Sequence, residues 1–189
     1  MLKHTTIKTH TLTINQANEL FDNCRDLVEY EQGTISMFGK KIPVPRLTAW
    51  FGDHSYSYST ITHEPQPMPY WLTVLKQQVE LVANTKFNCA LINFYRDGSD
   101  SVSWHSDDEP EFGGDPIIAS VSVGTTRVFK LKNKNDKSDQ TSINLENGTI
   151  LVMGKGCQPN YLHCVPKTKR EIFQGYRFNI TFRQQIRPQ

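Results

Sequence analysis

Three residues of this sequence could together bind a transition metal. His105 and Asp107 are separated by one residue, and His163 follows 56 residues after Asp107. Side chains two apart share a face of an extended strand, so His105 and Asp107 would point the same way and Trp104 towards the other layer. Two imidazoles and one carboxylate form the facial triad that binds Fe(II) and leaves positions open for O₂ and a bidentate 2-oxo acid. The His-x-Asp pair alone is weak evidence for a metal site, because a hydrogen-bonded polar pair at a strand end has the same sequence pattern.

A second polar pattern lies in the last apolar run, Arg177–Arg183. The alternation predicts a strand with four polar side chains on one face and three apolar side chains on the other. The polar face carries Arg177, Asn179, Thr181 and Arg183, and the apolar face carries Phe178, Ile180 and Phe182. Buried guanidinium groups need anionic partners, and a dicarboxylate co-substrate would supply two. The alternative is an edge strand whose polar face is solvated.

The elements that would position these residues are mostly short strands. After residue 88 we predict eight of them, separated by glycine, asparagine, aspartate and proline, which is typical of a sandwich or jelly roll. They cover residues 90–95, 101–105, 117–123, 127–131, 142–145, 150–153, 161–165 and 176–182. Residues 133–140 are polar and predict an exposed hairpin tip.

The first part of the chain predicts helices. Apolar spacing predicts one helix from Gln16, with Asn15 as its cap, and a second that opens at Met68 or Pro69. Strand-like runs lie between them at residues 34–38, 47–51 and 56–59. We therefore expect one structural domain, mainly β with flanking α. Residues 1–87 would form the N-terminal helical region and residues 88–189 the β core.

Composition excludes several classes of protein. With 37% apolar and 21% charged residues among 189, the chain is neither disordered nor fibrous. It has no apolar run of about 20 residues and no secretory leader, so we expect a soluble, intracellular protein without membrane contact. The four cysteines form no C-x-x-C pair, which disfavours a zinc ribbon and indicates reduced thiols.

The charge is uneven along the chain. The net charge is +2, but residues 97–115 carry seven acids and no base, whereas residues 116–189 carry twelve bases and four acids. This pattern indicates a cation site near a surface that meets anions, although solvated faces of opposite sign would give the same count.

In their order, His105-x-Asp107, His163 and Arg177-x₅-Arg183 resemble the AlkB-type 2-oxoglutarate/Fe(II) dioxygenases, which repair alkylated nucleic acids. The resemblance runs over about residues 38–183 and includes residues 93–98, 104–110 and 177–183. It implies a double-stranded β-helix (jelly roll) with N-terminal helices and a nucleotide-recognition region. It also implies that iron is bound by His105, Asp107 and His163. The distal carboxylate of 2-oxoglutarate would be held by Asn93, Tyr95 and Arg177. The same pocket would be lined by Asn179, Thr181 and Arg183, with Arg183 near the end that chelates iron.

The resemblance also implies which residues would contact the nucleic acid. Tyr56 and Tyr58 match a pair at the base pocket, although a tyrosine pair in a core has the same spacing. Asp108 and Glu109 would lie near the base and suit a positively charged lesion. Phe38 resembles a finger pushed into the duplex, an interpretation supported by the match at Pro45-Arg46, while core packing is the alternative. Arg46 is itself assigned to the residues that would meet the substrate. Phosphates would be met by Lys167, Lys169 and Arg170, unless that loop is simply solvated.

The function implied is oxidative dealkylation of bases such as 1-methyladenine and 3-methylcytosine. It would use Fe(II), O₂ and 2-oxoglutarate and release formaldehyde, succinate and CO₂. Residues 46–50 resemble members that prefer single strands and residues 38–40 resemble duplex-acting ones, so single- and double-stranded DNA and also RNA stay open as substrates. We expect a monomer, cytoplasmic if bacterial and nuclear if eukaryotic.

Two alternative functions stay open beside this one. The first is a 2-oxoglutarate/Fe(II) hydroxylase of a protein or small molecule, which would not require the aromatic and basic surface. The second is a non-catalytic nucleic-acid-binding jelly roll, which would have no use for open iron positions.

Overall fold

The computed structural model describes residues 2–37, 40–58, 61–171 and 174–186. Its strands are β1 (Ile7–Thr11), β2 (Thr34–Met37), β3 (Lys40–Pro43), β4 (Leu47–Phe51), β5 (Tyr56–Tyr58), β6 (Ile61–His63), β7 (Cys89–Tyr95), β8 (Val102–His105), β9 (Ile118–Gly124), β10 (Arg127–Asn133), β11 (Gln140–Leu145), β12 (Thr149–Met153), β13 (Tyr161–Val165) and β14 (Arg177–Arg183). Its helices are α1 (Ile14–Asp26), α2 (Tyr70–Ala83) and the single turn α3 (Cys157–Asn160), with a 3-10 turn at Pro110–Phe112.

Two antiparallel sheets form the β core. The larger sheet has the order β1-β12-β9-β14-β7-β4, and the smaller has the order β11-β10-β13-β8. The eight strands predicted after residue 88 are β7 to β14, and they are shared between the two sheets. The predicted mainly β architecture with flanking helices is therefore confirmed.

The helices cover one face of the larger sheet. Side chains of α1 and α2 form an apolar cluster with Phe178, Ile180 and Phe182 of β14, all three of which have no exposed surface. Burial of this face leaves the polar face of β14 directed towards the smaller sheet, because strand side chains alternate. A second cluster, which includes Phe129, Leu131 and Tyr161, packs between the sheets.

The helix boundaries depend on their caps. Thr13, and not the predicted Asn15, caps α1: its hydroxyl accepts from the Gln16 amide, and the Gln16 side chain accepts from the Thr13 amide. The helix therefore begins two residues earlier than expected. α2 begins at Tyr70, slightly later than the predicted opening at Met68 or Pro69, and Pro69 is its N-cap residue.

Polar edge strands escaped prediction. β1 joins the larger sheet beside β12, yet only Ile7 in it is even partly buried, so its sequence shows no apolar alternation. β1 and β4 bring residues of the first 87 into the same sheet as the later strands, and the boundary at residue 87 stays a proposal. Among the described helices, none combines the length and hydrophobicity needed to cross a bilayer.

Candidate active site

The predicted triad comes together in the cleft between the sheets. One donor atom from each of His105, Asp107 and His163 lies within 4.8 Å of the other two. His105 is directly opposite His163, whereas Val102 is opposite Val165, so β8 contains one more residue than β13 over this stretch. This bulge directs both Val102 and His105 into the cleft.

Asp107 does not share a strand face with His105. β8 ends at His105, and Asp107 lies two residues further on in the following loop. Its backbone amide donates to Oε1 of Gln158 at 3.0 Å, which fixes the loop against the turn before β13. The expectation for Trp104 was also wrong, since its side chain is 39% exposed and does not enter the other layer.

The hydrogen bonds around the triad orient its donor atoms. Nδ1 of His105 lies 2.9 Å from the Ser103 carbonyl, so this nitrogen carries the proton and Nε2 offers its lone pair. Nε2 is 3.4 Å from Oδ1 of Asp107. The other carboxylate oxygen accepts two bonds from Arg183, from Nη2 at 2.7 Å and from Nε at 3.1 Å.

The electrostatics keep Asp107 and His163 in the form that binds a cation. Burial alone would raise the pKa of Asp107, but the Arg183 guanidinium and the two imidazoles hold it well below its usual range. Burial lowers the pKa of His163 to about 3, and neighbouring His105 adds to the effect. A buried carboxylate beside a neutral imidazole is the state that ligates a divalent metal.

Arg177 is an incompletely paired cation inside the same cleft. It is 1% exposed, and β14 lies between β9 and β7, so the alternative of a solvated edge strand is wrong. Nη2 donates to Oγ of Ser122 at 2.9 Å, while Nε and Nη1 have no hydrogen-bond acceptor within the described part of the chain. Burial lowers the pKa of Arg177 to about 10, which leaves it charged at neutral pH.

The strand register places the other predicted pocket residues beside this arginine. Arg177 is opposite Tyr95, with the guanidinium 4.8 Å from the ring centre, and Asn179 is opposite Asn93. The Thr181 hydroxyl donates to Oδ1 of Asn179 at 3.1 Å. All six residues predicted to hold the co-substrate, namely Asn93, Tyr95, Arg177, Asn179, Thr181 and Arg183, line the cleft.

Arg46 was predicted to meet the substrate, and the structure places it in this cleft. It is 8% exposed, and its Nε donates to Oδ1 of Asn93 at 2.8 Å. Its guanidinium therefore holds the Asn93 side chain in position within the cleft.

The other predicted substrate residues are more scattered. Asp108 is 52% exposed and lies 3.4 Å from Nζ of Lys134, and Glu109 is half-buried before the 3-10 turn. Within the described residues, neither is among those that line the cleft. The basic loop formed by Lys167, Lys169 and Arg170 is exposed at these three side chains. Phe38 and the side chains of Tyr56 and Tyr58 lie outside the described part of the molecule.

Sequence reasoning missed two residues that complete the site. Ser122 accepts from Arg177 and lies 3.4 Å from Nδ2 of Asn179, and Gln158 holds the loop of Asp107. The alternation of Ser120 and Ser122 with apolar residues in β9 was a usable signal for the first. Gln158 gave none, because its role depends on a contact 51 residues away in sequence.

Residues 4–183 match the 2OG-Fe(II) oxygenase superfamily. The chain is 34% identical to "DNA oxidative demethylase ALKBH2" of Homo sapiens over 184 residues, which cover 89% of this chain and 69% of that protein. The chain belongs to the AlkB family of these oxygenases. The resemblance inferred from the motifs is thereby confirmed.

Other AlkB relatives are longer than this chain. It is 42% identical to "Alpha-ketoglutarate-dependent dioxygenase alkB homolog 3" of Bos taurus over 182 residues, 90% of this chain and 62% of that protein. The homologue of that name from Mus musculus is 45% identical over 75% of this chain and 52% of its own length. The chain thus spans between about half and two thirds of the length of these two relatives. The solved "structure of OsALKBH1" has the same fold, with a TM-score of 0.71 at 18% identity over 97% of this chain and all of that one.

The residues present fit the cofactors of this family, Fe(II) and 2-oxoglutarate, with O₂ as oxidant. Two imidazoles and one carboxylate converge as an Fe(II) site requires. The two guanidinium nitrogens of Arg177 without acceptors match a carboxylate brought by a ligand, since a buried cation needs an anionic partner.

Proposed function

We propose that this chain dealkylates nucleic-acid bases of the 1-methyladenine and 3-methylcytosine type, using Fe(II), O₂ and 2-oxoglutarate. The products would be the repaired base, formaldehyde, succinate and CO₂. One observation carries the proposal: a triad of metal donors and an incompletely paired arginine share a single cleft. The chain's relatives named as DNA oxidative demethylases supply the substrate class.

His105, Asp107 and His163 would hold the iron. When bound, iron and 2-oxoglutarate would activate O₂, which supplies the oxygen atom and the oxidising power for hydroxylation of an N-methyl carbon, after which formaldehyde leaves. The contribution of the chain is electrostatic. Arg183 keeps Asp107 ionised, and burial keeps His163 neutral, so the site is prepared for a cation before one arrives.

Arg177 would bind the distal carboxylate of 2-oxoglutarate through Nε and Nη1. Ser122 fixes the guanidinium through Nη2, and Tyr95 packs against its face. Asn93, held by Arg46, would donate to the same carboxylate from the opposite strand. The co-substrate would then point its other end towards Arg183 and the triad.

The surface around the cleft would hold the nucleic acid. Lys167, Lys169 and Arg170 are exposed, which suits contact with phosphates. Such contacts position the protein on the nucleic acid but do not read its sequence. We retain Tyr56, Tyr58 and Phe38 as residues that meet the extracted base and the gap it leaves. Asp108 and Glu109 would lie close enough to favour a cationic lesion. The position of Arg46 favours support of Asn93 over contact with the base.

The described cysteines are all buried and unpaired, which supports an intracellular site of action. We propose nucleic-acid repair in that compartment, cytoplasmic in a bacterium and nuclear in a eukaryote. The expected monomer stays a prediction.

The test is incubation of the full chain, Fe(II) and 2-oxoglutarate with oligonucleotides that carry one 1-methyladenine or 3-methylcytosine, single- and double-stranded. Mass analysis should show loss of one methylene unit, with one succinate released per base repaired. His105→Ala should abolish both signals and retain a cooperative thermal transition. Succinate release without change of the oligonucleotide would favour a protein or small-molecule substrate. Binding without succinate would favour the non-catalytic jelly roll.

A further inference from the structure

The outer face of the smaller sheet carries an exposed indole beside two lysines. Trp104 is 39% exposed, and Nζ of Lys132 lies 4.2 Å from its ring centre. Lys130 is exposed two residues earlier on β10, so it projects from the same face about 6.6 Å away. We call Trp104, Lys130 and Lys132 the outer patch.

The outer patch continues into the basic loop. Lys130 lines a shallow groove together with Lys167 and Arg170. Cys164 and Leu162, which pair with the two lysines across β10 and β13, are uncharged. The surface from Trp104 to Arg170 is therefore a stripe of positive charge with an aromatic ring at one end. Glu171 is the acid that follows it along the chain.

The stripe begins beside the metal triad. Trp104 and His105 are consecutive residues of β8, which is the last strand of the smaller sheet. His105 lines the cleft, whereas Trp104 is open to solvent on the other side of the same strand. A nucleic-acid strand that leaves the cleft would cross one edge of the smaller sheet to reach the indole of Trp104.

We propose that the outer patch binds the single-stranded nucleic acid that flanks the base held in the cleft. This proposal rests on the proposed function. Lys132 lies over the ring of an indole that is 39% exposed, and aromatic stacking of bases with nearby cations is how single strands are bound without sequence preference. A duplex offers phosphates to the lysines, but its stacked bases offer no free face to Trp104. The chemistry of the patch thus selects an unpaired strand.

The patch predicts that substrate length matters. A methylated trinucleotide fills the cleft and is too short to cover the stripe, whereas a 20-nucleotide strand reaches both. Trp104→Ala and the double variant Lys130→Glu/Lys132→Glu should each raise KM for the 20-nucleotide strand roughly tenfold and leave kcat and the trinucleotide kinetics unchanged. The control is Lys8→Glu, which reverses an exposed lysine on β1 of the larger sheet and should change neither.

A binding measurement tests the patch without turnover. Anisotropy of a labelled, unmethylated 20-nucleotide thymidine strand should give a Kd about tenfold weaker for both patch variants than for the control. The slope of log Kd against log salt should fall by about 1.4 for the lysine pair and stay unchanged for Trp104→Ala. Equal Kd values for patch and control variants overturn the proposal. A larger loss on duplex than on single-stranded DNA overturns the assignment to an unpaired strand. Absence of turnover by the unaltered chain counts against the proposed function, whereas the anisotropy result addresses the patch alone.

Discussion

Arg127 ties together the two loops that border the cleft, and its removal is the most informative test of how they are held. It is 2% exposed, and it donates from Nη1 to the Asp97 carbonyl at 3.0 Å. Nη2 donates to the carbonyls of Asp100 at 2.8 Å and Pro166 at 2.7 Å. The first two acceptors precede β8, and the third precedes the basic loop. The guanidinium also lies 5.6 Å from the ring centre of Tyr95.

The expected loss of folding stability follows from these contacts. Hydrogen bonds from a charged donor contribute about 1.5–3 kcal/mol each, so the three together would give roughly 5–9 kcal/mol. Desolvation of the buried cation offsets part of this, and it lowers the pKa of Arg127 despite the nearby tyrosine and carboxylates. Arg127→Met fills the space of the stem and removes the donors, so we expect a net loss of about 3 kcal/mol. For a chain of this size that corresponds to a Tm lower by roughly 6–12 °C.

Thermal melting followed by circular dichroism measures the loss. Arg25→Met is the matched control, because Arg25 makes surface ion pairs with Asp22 and Asp26 and should change Tm by no more than about 1–2 °C. Hydrogen exchange should quicken at the Thr168 amide, which donates to the Gly98 carbonyl between the two loops. KM for 2-oxoglutarate should rise because Tyr95 loses a packing partner. A Tm equal to that of Arg25→Met would refute the claim that Arg127 holds the two loops together.

Three further perturbations follow from the structure. Glu80 accepts from Lys76, Lys86 and the Phe87 amide; burial would raise its pKa, but these bonds lower it from 4.5 to about 2. Its stabilising effect is therefore full above about pH 4.5 and lost as the pH falls through 2. Glu80→Gln should lower the free energy of unfolding, measured in urea, by about 3 kcal/mol at pH 7 and by almost nothing at pH 2. A loss of the same size at both pH values would contradict this explanation. Arg177→Met should raise KM for 2-oxoglutarate about 100-fold and leave Kd for an oligonucleotide unchanged, and equal losses in both would point to misfolding. Phe38→Ala should lower repair of duplex more than of single-stranded DNA, as measured by the ratio of the two rates at fixed salt; an unchanged ratio would count against the finger.

The strands of the core were predictable because their alternation is strong. In β14 every second residue is apolar, and burial of Phe178 and Phe182 against the helices follows directly. β1 and β3 were not predicted, since their side chains are mostly exposed and backbone hydrogen bonding to β12 and β2 alone determines them.

The site was predictable in its residue types and less so in its geometry. His105 and Asp107 were identified from their spacing, but a strand that ends at His105 and a bulge before it replaced the assumed shared face. Bulges and loop ends depend on contacts with distant parts of the chain, such as the Gln158 bond to Asp107, and local sequence does not encode them. The exposure of Trp104 has the same origin.

The proposed co-substrate pocket is determined by the register of one central strand. β14 is fixed on its apolar face by packing against α1 and α2, and a slip of one residue would move its phenylalanines into the cleft and its arginines under the helices. The cost of that exchange is high, since it would bury two cations in an apolar cluster. The hydrophobic packing of the far face thus holds Arg177 opposite Tyr95 and Arg183 within reach of Asp107. Substitutions in Phe178 or Ile180 should accordingly weaken co-substrate binding although neither residue touches the cleft.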